Sequence, residues 1–301
     1  MTLLTGSILA IPFPEIDPVA LSLGPIDVKW YGLAYMVGLL LGWFYIRNLL
    51  AAPGLWARGG PPFEIGKTDD LLLYMTVGVI IGGRLGAVLF YEPSYYFQNP
   101  EQIPAIWRGG MAFHGALLGC GLAIWAFAAR NGVSTLSTMD LCAAAVPIGL
   151  FFGRIANFIN GELWGRETTM PWGMIFPGVA SYLAEPTSEP RASLGWDPLA
   201  PRHPSQIYQA ALEGLILFAL LRYLTHRRGA LKSPGLTVGV FLAGYGVARS
   251  IGEVFRQPDP FHPLTAYGLT AGIVYSLPMI ALGLFFIARS NRTRNAEGAS
   301  V

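Results

Sequence analysis

The sequence predicts an all-α polytopic membrane protein with seven transmembrane helices, and three observations predict it. Hydrophobic residues make up 53% of the 301 residues and charged residues only 13%, well below the roughly one quarter of soluble domains, and the mean hydropathy is +0.46. Apolar runs long enough to cross about 30 Å of hydrocarbon, at about 1.5 Å per residue, recur along the chain. Turns punctuated by proline and glycine separate them.

Taken in order, residues 1–29 carry no Lys or Arg before Lys29 and are broken by Pro12, Pro14 and Pro18. That pattern argues against a cleaved signal peptide and predicts an interfacial lead-in. Spans are expected at about Trp30 to Leu50, Leu71 to Tyr91, Met111 to Arg130, Thr138 to Ile159, Gln206 to Leu224, Gly235 to Phe255 and Leu264 to Ala288. Residues 30–289 therefore form the membrane domain and 290–301 a cytoplasmic tail. The connection 160–203 is too polar and proline-rich to span, and is expected as a small extracytoplasmic head between spans 4 and 5.

Orientation follows from the basic residues, which cytoplasmic loops retain. Arg47, Arg58, Lys67, Arg130, Arg222, Arg227, Arg228, Lys232, Arg289, Arg292 and Arg294 fall on one side. Lys29, Arg108, Arg166, Arg191, Arg202 and Arg256 fall on the other, diluted by most of the carboxylates. The N-terminus is therefore expected outside and the C-terminus inside. Cys120 and Cys142 lie in apolar runs and read as small buried thiols rather than a disulfide or zinc site.

Arg84, Arg154 and Arg249 lie within apolar spans, where a charge costs about 2.5 to 3.5 kcal/mol on insertion scales. In the expected topology each comes shortly before the outer end of its helix, about 8 to 10 Å below the surface. A single arginine there can snorkel to the headgroups. All three, however, sit in glycine-rich settings (GGRLG, FFGRIANFING, GYGVARSIG) that permit close helix approach and favour a bundle-facing position. Tyr245, Arg249 and Glu253 follow at i, i+4 and i+8 and form one stripe of a helix, where Glu253 can orient Arg249. Arg154 and Asn157 make an i, i+3 pair, and the segment then turns through Asn160, Gly161, Glu162, Gly165 and Arg166. Such a helix end is suited to an anion, and the anions at that depth are phosphodiesters of outer-leaflet lipids. The arginine fork binds phosphate bidentately and never loses its charge.

The stretches GRIANFINGELWGR, PEIDPVALSLGPIDVKWYGLAY, WRGGMAFHGALLG, RHPSQIYQAALEG and GYGVARSIGEVFRQPD closely resemble the bacterial prolipoprotein diacylglyceryl transferases. The resemblance implies a multi-pass enzyme of the bacterial inner membrane, with its active site toward the extracytoplasmic side. Such an enzyme transfers the diacylglyceryl group of phosphatidylglycerol to the lipobox cysteine of a preprolipoprotein signal peptide, forming a thioether and releasing glycerol phosphate.

It further implies catalytic positions at His114, Arg154, Tyr245, Arg249 and Glu253, and substrate-binding positions at Tyr31, Arg154, Asn157, Glu162, Gly165 and Arg249. Gln209 stands where relatives often carry an acid, Ala271 and Ile273 where they often carry Met and Gln, and Tyr182 to Pro201 resembles an enlarged outer loop. No cofactor or metal, no nucleic-acid partner and a monomer are expected. His114 stands as base for the thiol, or as a lipid-positioning group with the proton going elsewhere; Arg84 stands as a third phosphate contact or a snorkelling residue.

Other chemistries fit less well. ARSIG around Ser250 misses the hydrolase G-x-S-x-G turn and lies in an apolar span. Gly82-Gly83-x-x-Gly86 has no strand before it and is no nucleotide loop. The principal rival is a lipid transporter or flippase with an outer-leaflet phosphate site, but no internal repeat is visible and the polar residues collect on one side.

Overall fold

The computed structural model describes residues 10–14, 16–24, 26–57, 59–106, 109–185, 191–260 and 267–299. Arg58, Arg108 and the first nine residues of the lead-in lie outside that set. The chain divides into two compact units, one of Met1–Gly42, Ala145–Tyr223 and Gly239–Ala288, the other of Trp43–Ala144, Leu224–Val238 and Arg289–Val301.

The chain is mostly helical. Six helical segments are long and apolar enough to cross a membrane: Trp30–Leu50, Ile65–Phe90, Thr135–Ile159, Ser205–Arg227, Leu236–Phe255 and Ala271–Arg292. They contain helices α1 (Trp30–Leu50), α2 (Thr68–Gly86), α5 (Thr135–Ile159), α7 (Ser205–Gln209), α8 (Leu217–Arg227), α9 (Leu236–Phe255) and α10 (Ala271–Ala299). The run expected at Met111 to Arg130 folds as α4, Phe113–Asn131. Short helices α3 (Pro93–Gln98) and α6 (Pro177–Ala184) lie between spans. The last span begins at Ala271 rather than near Leu264, and residues 261–266 lie outside the described set.

The expectation of an all-α fold needs one correction. Two small two-stranded sheets are present: β1 (Ile11–Pro12) pairs in parallel with β4 (Met174–Ile175), and β2 (Val19–Leu23) pairs antiparallel with β3 (Ile26–Lys29). Val19 and Leu21 alternate with Ala20 and Ser22, a period-2 pattern, and Gly24 at φ +64° permits the reversal. The lead-in is thus partly a hairpin.

Large apolar side chains stand exposed along the spans. Met36, Leu39, Leu40 and Phe44 on α1 and Leu277, Leu284 and Phe285 on α10 are each more than half exposed. Contiguous exposure of that extent is expected of a lipid-facing surface.

Within the second unit, α2 and α4 pack through small residues at four-residue spacing, Gly78, Gly82 and Gly86 against Gly115, Gly119 and Ala123. A Cβ on Gly82 would come 2.7 Å from Gly119 Cα, and one on Gly86 2.8 Å from Gly115 Cα, so the backbones touch as in small-xxx-small membrane contacts. In the same unit the fully buried Asp140 on α5 accepts from the N–H groups of Gly235 and Val238, both at 2.7 Å. It satisfies donors at the start of α9 that lipid could not.

Candidate active site

The site is built in the first unit from four helical segments and one loop. α5 ends at Ile159, and Gly161 at φ +64° reverses the chain. The loop that follows is strained at Leu163, whose φ of +58° is the only positive value among the described non-glycine residues and costs of order 1–3 kcal/mol. Ser205 Oγ donates to Leu163 O at 2.8 Å, and Gln206 Nε2 to Glu162 O at 2.5 Å. The start of α7 therefore holds this conformation in place.

Gly165 is fixed by backbone pairing. Its N–H donates to His203 O at 2.9 Å, Arg166 N–H to Phe255 O at 2.8 Å, and Gln257 N–H to Trp164 O at 3.1 Å. A Cβ on Gly165 would lie 2.5 Å from His203 O and 2.6 Å from Phe255 O. Glycine is required because two strands of backbone pass too close for a side chain, not by a left-handed dihedral.

Arg154, on α5, donates from Nε and Nη2 to Glu213 Oε2, both at 3.0 Å. Glu213 is fully buried and lies in a π turn, Ala210–Ile216, that interrupts the span between α7 and α8. From α9, Arg249 Nη2 lies 2.8 Å from Glu253 Oε2, and Arg249 Nη1 lies 4.0 Å from Glu213 Oε1. Tyr245 on α9 lies within electrostatic reach of Arg154, and Tyr31 on α1 within reach of Arg154 and Glu162. The structure therefore brings Tyr31, Arg154, Glu162, Tyr245, Arg249 and Glu253 into one neighbourhood. Both side chains stay partly accessible, with exposures of 16% for Arg154 and 14% for Arg249.

Arg256, just beyond the last residue of α9, adds a third cation. Burial, with the neighbouring Arg249, pushes its pKa down to about 10, and it stays charged at neutral pH. Arg154, Arg249 and Arg256 thus lie among the carboxylates of Glu213, Glu253 and Glu162, three cations beside three carboxylates.

The chain matches the family model described as prolipoprotein diacylglyceryl transferase over residues 18–289. The chain belongs to that family. Relatives named phosphatidylglycerol–prolipoprotein diacylglyceryl transferase include that of Rhizobium meliloti, 48% identical with 96% of each chain covered. Those of Methylocella silvestris (47%; 94% of this chain and 96% of the relative) and Cereibacter sphaeroides (48%; 94% and 99%) are similar to it in the same degree.

Against the family motif, two expectations change. Asn157 does not pair with Arg154: its Nδ2 donates to Glu162 Oε1 at 2.6 Å and ties the end of α5 to the loop, while Arg154 reaches across to Glu213. Arg84 is neither a phosphate contact nor a snorkelling residue. It is buried in the second unit and donates to the carbonyls of Ile103 (2.7 Å), Gln102 (2.5 Å), Gly109 (2.5 Å), Gly110 (2.9 Å) and Ala105 (3.1 Å), with Tyr96 stacked at 5.0 Å. Its role is to shape the chain before α4. His114, the second residue of α4, is exposed and belongs to that second unit.

Glu213 is the residue of this cluster that sequence reasoning missed. Its signal was available as the lone carboxylate in the apolar stretch QAALEGLILFALL, and an ionisable residue inside a span is by default a functional candidate. No group of His, Cys, Asp or Glu able to hold a metal occurs among the described residues.

Proposed function

We propose that this chain transfers the diacylglyceryl group of phosphatidylglycerol to the lipobox cysteine of preprolipoproteins, the first step of lipoprotein maturation. The observation that carries this reading is the buried Arg154–Glu213–Arg249–Glu253 cluster in a member of the transferase family. Two arginine side chains held by separate helices, both partly accessible, suit a phosphodiester.

In the reaction the cysteine sulfur attacks the sp3 glycerol carbon of the diacylglyceryl group. The S–C bond forms, the C–O bond to phosphate breaks, and glycerol phosphate departs carrying one more negative charge. Arg154 and Arg249 stabilise that growing charge more strongly than the ground-state diester. A thiol is mostly protonated at neutral pH, and we assign its proton to His114 from the resemblance in FHG. Tyr31 and Tyr245 border the headgroup, Glu253 orients Arg249, and Asn157, Glu162 and Gly165 hold the loop.

The finer membrane arrangement belongs to the same reading. Seven spans including α4, the N-terminus outside and residues 160–203 as an extracytoplasmic head follow from the distribution of Lys and Arg and put the arginine cluster near the periplasmic leaflet. The test is direct: purified protein is incubated with phosphatidylglycerol and a lipobox peptide, and the peptide is weighed. A mass gain of one diacylglyceryl group with release of glycerol phosphate is expected. An unchanged peptide, as from a lipid transporter, contradicts the assignment.

A further inference from the structure

We infer that Phe13, in the lead-in before the first span, is a positioning residue for the reaction: its ring braces the turn at Gly161 and so holds Asn157 and Glu162 in register. The inference rests on the transferase reading above.

The lead-in is tied to residues 160–203 through its backbone. β1 pairs in parallel with β4, and Ile11 N–H donates to Gly173 O at 2.9 Å. From there the hydrogen bonds continue inward. Met174 and Arg202 exchange backbone bonds at 2.9 and 2.8 Å, His203 N–H donates to Arg166 O at 3.0 Å, and Arg166 N–H donates to Phe255 O at 2.8 Å. Residues 11–12 are therefore the outer rung of a ladder whose inner rungs fix Gly165 and the end of α9.

The residue after β1 reaches the turn itself. The Phe13 ring centroid lies 5.3 Å from that of Phe158, in the last turn of α5, and 5.2 Å from that of Phe176, the fully buried residue just before α6. Its Cζ and Cε1 stand 3.6 and 3.7 Å from where a Cβ on Gly161 would be, in contact with the face of the turn that carries no side chain. From the other element, a Cβ on Gly178 of α6 would come 2.6 Å from Gly161 O. Phe13 and the start of α6 thus hold the turn between them.

The segment needs such support. Leu163 at φ +58° stores backbone strain, and a strained conformation persists only where its surroundings over-determine it. Two residues on either side of Gly161 depend on the result, because Asn157 Nδ2 must stay on Glu162 Oε1 at 2.6 Å. Removing the Phe13 ring takes away an apolar brace and leaves each of these polar groups in place.

The test joins a double-mutant cycle to hydrogen exchange, on purified full-length enzyme with phosphatidylglycerol and a lipobox peptide. Phe13→Ala, with an unfolding midpoint close to the parent's, is expected to lower kcat/KM at least about tenfold, since misplacement by about 1 Å can cost about a hundredfold. Phe13→Tyr keeps the ring and should recover most of the loss. The cycle pairs Phe13→Ala with Ser205→Ala, which removes the hydrogen bond to Leu163 O. Independent losses multiply, whereas two losses acting through one loop should depart from the product by at least about twofold. Amide exchange at residues 161–166 should quicken at least about tenfold in Phe13→Ala, while α2 and α4 keep the parent's rates. Should Phe13→Ala fail to fold, Phe13→Leu carries the same measurements.

Parent-like kcat/KM in the folded variant overturns the proposal. So do losses that simply multiply, or exchange at 161–166 that matches the parent's. A peptide left unmodified by the unaltered enzyme defeats the transferase reading instead, and the exchange comparison still decides whether Phe13 braces the turn.

Discussion

Gly165 shows how a single residue ties the loop to the helices that carry the site. With His203 O and Phe255 O 2.5 and 2.6 Å from where a Cβ would stand, Gly165→Ala must push apart the pairing that joins the loop to the end of α9. Overpacking of this kind costs about 1–3 kcal/mol. Gly165→Ala should lower the thermal midpoint and cut turnover together. An alanine enzyme with ordinary activity and stability would show that the backbones have room to spare.

Arg84 makes a parallel case, since five carbonyls depend on one guanidinium and hydrogen bonds to a charged donor are worth about 1.5–3 kcal/mol each. Arg84→Ala should destabilise by at least about 3 kcal/mol, read by thermal unfolding in detergent, and Arg84→Lys should recover only part because a point charge cannot fork. The sequence made Arg84 look like Arg154 and Arg249, because all three are arginines in glycine-rich spans. What separates them is the partner, backbone carbonyls for Arg84 and carboxylates for the others, and the partners of Arg84 and Arg154 lie too far along the chain to leave a local pattern.

At the scale of elements, the apolar runs were legible because a span must be long and continuous to cross a bilayer, and α1 falls on its expected bounds. The stripe of Tyr245, Arg249 and Glu253 was legible for the same kind of reason, as helical spacing is written in the chain. The π turn at Ala210–Ile216 was not, because one extra residue per turn leaves the apolar character unchanged while re-aiming Glu213. The β1–β4 sheet escaped notice because its two-residue strands lie far apart in sequence.

Two element-level tests follow. Gly82→Val should separate α2 from α4, since a Cβ there would already meet Gly119 Cα at 2.7 Å. A fall in folded yield and thermal midpoint is expected, and a variant matching the parent would mean the contact tolerates a side chain. Asp140→Ala strips the start of α9 of its acceptor, and the unpaired amides should cost about 1–3 kcal/mol. Asp140→Asn, which keeps an amide oxygen, should lose less, and equal losses would indicate that the carboxylate acts by charge rather than by capping.

For the molecule as a whole, surface and site point to the same surroundings. Exposed apolar helices require lipid, and the guanidiniums of Arg154 and Arg249 are suited to an anion that lipid can supply. The matches to relatives across nearly the whole chain place that combination in a transferase family. The central claim is that Arg154 and Arg249 act on the phosphate through bidentate forks as charge develops on the leaving group. Its most direct test is steady-state turnover of purified Arg249→Lys, with Arg154→Lys beside it, on phosphatidylglycerol and a lipobox peptide. The account predicts that kcat falls by about a hundredfold or more while the fold survives, the scale of losing one preorganised donor to a transition state. Near-unaltered kcat in either folded variant would contradict it.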